Sequence, residues 1–199
     1  PRPRAIIGIP LDVTEVEKKA VEDAVLFAGA KVVHLVENVI AAAIGARLPI
    51  QEASGNMIVS LGAGVTEIAV ISLSGVVSWR SLRVAGNELD QDIVQNMRNE
   101  FNLLIGEKNA EDVKLEYSKT RDKKMSAEFE LKIRGRDLIS GLPKEIPVSS
   151  EQISHFIERS VKSIVDGIKT TLEVTPPELI SDIYQRGLIL AGGGSLLKN

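Results

Sequence analysis

The chain is 199 residues long, 44% hydrophobic and 26% charged, with a net charge of −3 and no cysteine. That composition supplies one large core or two small ones and is unlike a disordered chain. The slightly acidic balance offers no basic field to attract nucleic acid, and the lack of cysteine excludes disulfides and thiolate ligands, as suits a reducing cytoplasm.

Two isolated histidines, His34 and His155, argue against a His-based metal site. No apolar run reaches the ~18 residues of a membrane span. Pro1-Arg2-Pro3-Arg4 leads straight into a strand-like run with no secretory pattern. A core-type strand so close to residue 1, and a glycine turn cut off at Asn199, suggest a segment of a longer protein.

Residues 5–9 read as a short apolar strand closed by Gly8 and Pro10. Thr14 and Glu17 then fit a capping box, opening a helix that should run to Ala28 and stop at Gly29. Residues 31–36 form a second strand, and 39–46 a short Ala-rich helix with Asn38 as its N-cap. This order implies a crossover and a parallel pair. Residues 56–61 and 66–73 make a hairpin around Gly62-Ala63-Gly64, and Ser74-Gly75 turns into a strand over 76–84.

Gly86-Asn87-Glu88 opens a helix to Phe101, with Leu89, Ile93, Val94 and Met97 at helical spacing. A short helix lies within 107–117. Residues 127–133 alternate as a strand with Phe129, Leu131 and Ile133 on one face, and 138–139 and 145–148 complete a small antiparallel insertion. A long helix spans 150–172, Pro176-Pro177 opens another ending at Gly187, and 188–191 is a buried strand leading into Gly192-Gly193-Gly194.

Two glycine turns therefore follow β-branched strands. The Gly62–Gly64 tip and the Gly192–Gly194 turn each let backbone N–H groups approach a phosphate, although a plain β-turn or strand-to-helix turn explains either one alone. Glu111 and Lys114, one helical turn apart, could clasp a ribose or base edge or form an ordinary surface pair. Glu37-Asn38 could orient a water or cap a helix. The cluster at 119–124 reads as a solvated loop, Trp79 and His34 as packed strand residues, and His155 as a surface residue.

Taken in order, these pieces resemble the actin-like ATPases, most closely the bacterial MreB family of rod-shape-determining filament proteins. The resemblance rests on Pro1–Pro10 with Thr14–Val21, Ala41-Ala42-Ala43-Ile44-Gly45-Ala46, Arg83-Val84-Ala85-Gly86-Asn87-Glu88-Leu89-Asp90, Phe101–Glu107, Arg134-Gly135-Arg136-Asp137-Leu138 and Thr175-Pro176-Pro177-Glu178-Leu179. It implies an α/β actin-like (ribonuclease H-like) fold. Residues 1–50 would then be the end of subdomain IA, 51–84 the first part of IIA, 85–150 subdomain IIB, and 151–199 the rest of IIA with the adenosine loop.

It also implies ATP or ADP with Mg²⁺ at an interdomain cleft. The phosphates would lie on Gly62, Ala63 and Gly64, and the adenosine near Glu111, Lys114, Gly192, Gly193, Gly194 and Ser195. Partners implied are further copies of the chain in filaments, RodZ and MreC/MreD, and the inner membrane surface through regions not in this sequence. No nucleic acid is expected, and the location is cytoplasmic and membrane-associated.

The departures from the family fall on the chemistry. Its second phosphate loop reads Asp-Ile/Leu-Gly-Gly-Gly-Thr-Thr-Glu. Here Ser60 replaces the metal-holding Asp, Ala63 a glycine, and Val65 the first Thr. Asn38 stands where the family's second Glu polarises the attacking water. Ser60 lacks the charge a hard cation prefers, and Val65 cannot hydrogen-bond. Losing one positioning group typically costs about 10²–10³ in rate, non-additively. The expectation is a filament protein that binds nucleotide with weakened hydrolysis, against two alternatives: an ordinary active ATPase of this type, or a nucleotide-independent filament adaptor. Ala63 would strain the loop by ~1–2 kcal/mol only if that position needs positive φ.

Overall fold

In a computed structural model, which describes residues 2–120 and 130–197, strands and helices follow one another largely in the order the sequence pattern predicts. In order they are β1 (Arg4–Ile9), α1 (Glu15–Phe27), β2 (Val32–Glu37), α2 (Asn38–Gly45), β3 (Asn56–Leu61), β4 (Thr66–Ser72), β5 (Gly75–Leu82) and α3 (Gly86–Phe101). There follow β6 (Leu103–Leu104), α4 (Glu107–Thr120), β7 (Glu130–Asp137), β8 (Pro143–Ser149), α5 (Ser150–Glu173), α6 (Pro177–Arg186), β9 (Leu188–Ala191) and a 3₁₀ turn (Gly193–Leu196). The expected residues 127–129 of the β7 strand, including Phe129, and 121–124 of the basic cluster lie outside the described residues. Among the described residues, no helix is long and apolar enough to cross a membrane.

The chain divides into two units. The first comprises Pro1–Ser60, Glu67–Ser81 and Gly167–Ala191. In it β1 and β2 pair in parallel, with Ile6 opposite His34. The capping box at α1 forms as expected: Thr14 N–H donates to Glu17 Oε2 at 2.8 Å, and Glu17 N–H to Thr14 Oγ1 at 3.3 Å. A four-stranded sheet runs β5-β4-β3-β9. Its inner strands supply Ile58, Ala69 and Ile71 to a core completed by Val39 and Ala43 of α2 and by Ile50.

Three expectations fail in this unit. Asn38 is not the cap of α2: Glu37 holds the extended N-cap backbone, without a side-chain bond, and Asn38 is already helical. The Asn38 side chain instead lies beside Gly8, where any Cβ would collide with its Oδ1. Strand β9 is not buried, with Leu188, Ile189 and Leu190 at 37%, 36% and 49% exposure, because it is an edge strand paired with β3 alone. Trp79 and His34 are exposed rather than packed; Trp79 lies on the opposite edge strand, β5, of the same sheet. On α6, Gly187 ends the helix as expected, at φ 77°.

The second unit comprises Leu61–Thr66, Leu82–Asp166 and Gly192–Asn199. Its core gathers Leu89, Ile93 and Met97 of α3, Leu131 and Ile133 of β7, Val148 of β8, and Ile153, Phe156 and Ile157 of α5. The apolar spacing of α3 thus faces inward, and Leu131 and Ile133 share the buried face of an antiparallel β6-β7-β8 sheet. Strand β6 has no sequence signature. It forms because Asn102 turns into the left-handed region at φ 51°, ending α3 and setting Leu103 opposite Asp137.

Residues 138–139, expected as a strand, are an exposed turn. The Asp137 carboxylate accepts from Ile139 N–H, Ser140 N–H and Ser140 Oγ, which bends the chain away from the ladder. His155 sits exposed on α5 beside Glu158, as expected.

Candidate functional site

The tip between β3 and β4 is closed by Gly62 N–H donating to the Val65 carbonyl at 3.0 Å. Its two forward carbonyls are taken by the start of α3: Gly86 N–H donates to Gly62 O at 3.1 Å and Asn87 N–H to Ala63 O at 2.8 Å. No described peptide is cis. In a trans peptide the N–H points opposite to the preceding carbonyl. The N–H groups of Ala63 and Gly64 are therefore aimed away from α3 and are not used by it, as donors kept for an anion would be.

Ala63 is not among the described residues with positive φ. Its methyl therefore imposes no left-handed strain, and the conditional cost anticipated for it does not arise. Gly64 has open space around it. At Gly62 a Cβ would meet the Val65 carbonyl at 2.8 Å, so the turn closes tightly on that residue.

The second glycine turn needs its glycine far more. Gly192 has φ 82° and ψ 170°, a region essentially restricted to glycine, and any side chain there would run into the Leu61 carbonyl. A Cβ on Gly194 would lie 2.7 Å from Leu61 Cβ. Both glycines therefore let the 3₁₀ turn lie directly on the end of β3. Ser195 returns to Gly192 O through its N–H and its Oγ, at 3.2 and 2.6 Å. Ser118 Oγ of α4 donates to Leu196 O at 2.7 Å and fixes the turn's far end.

Between these parts of the second unit lies a cavity of about 860 Å³, within the size range of small-molecule sites. Gly62 and Ala63 form one side and Gly193 and Gly194 another. Gly86 and Asp90 of α3, with Glu111 and Lys114 of α4, complete it. Six of the residues singled out from the sequence thus meet at one cavity. Gly192 and Ser195 belong to the turn that carries Gly193 and Gly194 without lining the cavity themselves, Gly64 and Val65 sit at the tip, and Ser60 and Asn38 belong to the first unit, with Ser60 opposite Ala191 in the β3–β9 ladder.

Lys114 corrects the surface-pair reading. It is buried, and its ammonium donates not to Glu111 but to Asp90 Oδ2 at 2.7 Å and Gly86 O at 2.9 Å. Burial pushes the Asp90 carboxyl above its ordinary range, against the opposing bond from Lys114, and the negative Glu111 and Glu107 push the same way. Asp90 Oδ1 is buried with no hydrogen-bond partner among the described residues. Asp90 went unrecognised in the sequence, although a charged residue next to Leu89 on the inward face of α3 was the available signal.

With Asp90, Glu107 and Glu111 against Lys108 and Lys114, the α4 side carries no surplus of positive charge. It suits a sugar or base better than phosphates, which the tip's N–H groups fit. No group of three or more His, Asp or Glu side chains among the described residues could hold a metal. Mg²⁺ usually takes only one or two protein ligands and leans on substrate phosphates and water, so these residues fit a cation brought with a nucleotide rather than a resident one.

The family model described as MreB/Mbl protein matches residues 1–199. The chain is 43% identical over 196 residues to the cell shape-determining protein Mbl of Bacillus subtilis, covering 98% of this chain and 58% of that protein. It is 42% identical over 199 residues to the cell shape-determining protein MreB of Escherichia coli, covering 100% and 57%. Among solved structures, MreB5 of Spiroplasma citri bound to ADP superposes with a TM-score of 0.91 at 38% identity, covering 98% of this chain and 59% of that one.

The same protein bound to AMPPNP gives 0.90 at 39% identity, over 98% and 58%. The MamK double helical filament gives 0.75 at 22% identity, over 100% of this chain and 58% of that one, which supports the fold alone. The chain thus spans a little under three fifths of the length of these relatives and has an actin-like fold. It belongs to the MreB/Mbl family.

Proposed function

We propose that this chain is the nucleotide-binding segment of a cell-shape filament protein, and that it holds ATP or ADP with weakened hydrolysis. The observation that carries the proposal is the cavity bounded by the Gly62–Ala63 tip, the start of α3, the Glu111–Lys114 face and Gly193–Gly194. Relatives of known structure were crystallised with ADP and AMPPNP, which supports the same ligand class here. The phosphates would meet the N–H groups of Ala63 and Gly64. Glu111, Lys114 and the turn from Gly192 to Ser195 would border the adenosine.

The nucleotide supplies the phosphoanhydride bond, and Mg²⁺ would be bound chiefly by its phosphates. The chain's part is to bind and orient. Ser60 offers a hydroxyl where a carboxylate would better hold a cation's waters, Val65 offers no hydrogen bond to a water, and Asn38 offers an amide in place of a general base. Each change leaves backbone binding intact and removes a group that acts on water or metal. Filament formation by copies of the chain, work at the inner membrane with RodZ and MreC/MreD, scaffolding of wall synthesis, and the division into parts of subdomains IA, IIA and IIB belong to the same proposal.

The test is titration of the full-length protein with Mg-ATP by calorimetry, with phosphate release followed in parallel. Binding with slow release is expected, and Ser60→Asp with Val65→Thr should raise release at least tenfold, since a single such group is worth about 10²–10³. Turnover at the rate of an unsubstituted relative in the starting protein would overturn the weakened-hydrolysis reading. Absence of any nucleotide effect on binding or stability would overturn the binding itself and favour an adaptor role.

A further inference from the structure

Gly86 is a junction. Its N–H is bound to Gly62 O of the hairpin tip at 3.1 Å, and its carbonyl accepts from Lys114 Nζ at 2.9 Å. A Cβ built there would lie 3.4 Å from Gly62 O, 3.5 Å from Ala63 Cα and 3.5 Å from Lys114 Nζ, so the tip, α4 and the start of α3 meet at one residue. Lys114 holds its place because Asp90 Oδ2, one turn further along α3, accepts from the same ammonium at 2.7 Å. The pair is nearly closed to solvent, with side-chain exposures of 10% and 11%.

We propose that Asp90 is a positioning residue for the phosphate-binding tip, acting through Lys114 and Gly86 without touching the ligand. The proposal rests on the nucleotide reading above.

A buried ammonium with two good acceptors stays where they are, and losing the charged one leaves a cation that must find water or another anion. Glu107 and Glu111 on α4 line the same cavity and are alternative anions for it. A Lys114 drawn to either leaves the Gly86 carbonyl and frees the first turn of α3. Gly86 and Asn87 N–H groups then no longer fix the orientation of the Gly62 and Ala63 carbonyls, and with them the Ala63 and Gly64 N–H groups. Asp90 Oδ1, buried and without a partner among the described residues, sharpens the point. A packing role alone would be met at lower cost by an apolar residue, whereas this carboxylate keeps one oxygen unsatisfied while the other anchors the cation.

The test uses the full-length protein and two probes, Mg-ATP and inorganic tripolyphosphate, which has the phosphates but neither sugar nor base. Asp90→Asn preserves shape and removes the charge. It should weaken both probes by the same factor, roughly fivefold or more, the usual size of coupling between adjoining sites. Asp90→Asn with Lys114→Met removes both charges at similar volume and serves if the single variant folds poorly; it should weaken tripolyphosphate as much as the single change does.

A packing role would lower the melting temperature of the free protein and leave tripolyphosphate affinity unchanged, which overturns the proposal. Loss of ATP affinity in Asp90→Asn with tripolyphosphate unaffected also overturns it, since the change would then act on the nucleoside side, where Lys114 borders the adenosine, and not on the tip. If the unaltered protein binds neither probe, the nucleotide reading fails first and this inference with it. Binding by the unaltered protein with no change in either variant sinks this inference alone.

Discussion

The second unit contains two hairpin tips built on opposite principles. The tip from Gly62 to Val65 has almost no side chain; its carbonyls are spent on α3, and the N–H groups of Ala63 and Gly64 point elsewhere. The tip from Asp137 to Leu142 is organised by one carboxylate, which accepts from Ile139 N–H, Ser140 N–H, Ser140 Oγ and Lys144 Nζ. The first leaves backbone donors for a ligand, while the second consumes its own. Whether a glycine turn has backbone donors to offer a ligand thus depends on where its carbonyls are engaged, more than on how many glycines it has.

The largest effect is expected at Gly192, the support of the first tip. Gly192→Ala forces a side chain onto a φ of 82° and against the Leu61 carbonyl. Backbone strain of this kind costs about 1–3 kcal/mol, and the collision adds to it, so a loss of roughly 3 kcal/mol should appear in denaturant unfolding. A loss below about 0.5 kcal/mol would show that the turn is not held against β3.

Saturating Mg-ATP comes next. At a hundred times its dissociation constant it should add about 2.7 kcal/mol to stability. Amide exchange should slow at Ala63 and Gly64 and stay unchanged at Ile139 and Ser140. Equal protection of both tips would erase the distinction drawn between them.

Acid should act the other way round. Lys144 first, and then Ser140 N–H, hold the Asp137 carboxyl well below the usual carboxylate range, against the effect of burial. A depressed pKa in the folded state means stability fully present above the unfolded value of about 3.9 and lost as pH falls below it. Asp137→Asn should flatten that part of the pH–stability curve and speed exchange at Ser140, with no effect on the glycine tip. A curve unchanged by the substitution would rule out the proposed role of the carboxylate.

The smallest effect is expected at Gly64 and Ala63. Gly64 has open space and no positive φ, so Gly64→Ala should stabilise by about 0.4–1 kcal/mol through the unfolded chain, and Ala63→Gly should destabilise by a similar amount. A large destabilisation by Gly64→Ala, read by thermal melting, would mean the tip has a conformational demand that its dihedrals do not reveal.

Much of the fold was legible in the sequence because it depends on local period and local chemistry. The spacing of Leu89, Ile93 and Met97 gave α3, Thr14 with Glu17 gave the cap of α1, and alternation at Leu131 and Ile133 gave the buried face of β7. Errors arose where a long-range partner decides. Strand β9 looked buried because Leu188-Ile189-Leu190 is apolar, yet burial depends on what covers a strand. Asn38 looked like a cap because asparagine caps well, yet the helix had already begun. Leu138-Ile139 looked like a strand, but Asp137 bends the chain first. At the candidate site, Gly62, Ala63, Gly193, Gly194, Glu111 and Lys114 were each visible as residue types. Asp90 and Gly86 were not, since an aspartate and a glycine at a helix start are common for many reasons.

The sequence alone therefore determined most of the element order, the inward face of α3, the position of two glycine turns and the substitutions at Ser60, Val65 and Asn38. Tertiary structure decided that Gly192 needs to be glycine while Gly64 does not, that Ala63 carries no strain, and that Lys114 turns from Glu111 to Asp90. The reason is physical: periodicity and capping act over three or four residues along the chain. The direction of a peptide N–H, the partner of a buried ammonium and the space around a Cβ are instead set by segments tens of residues apart.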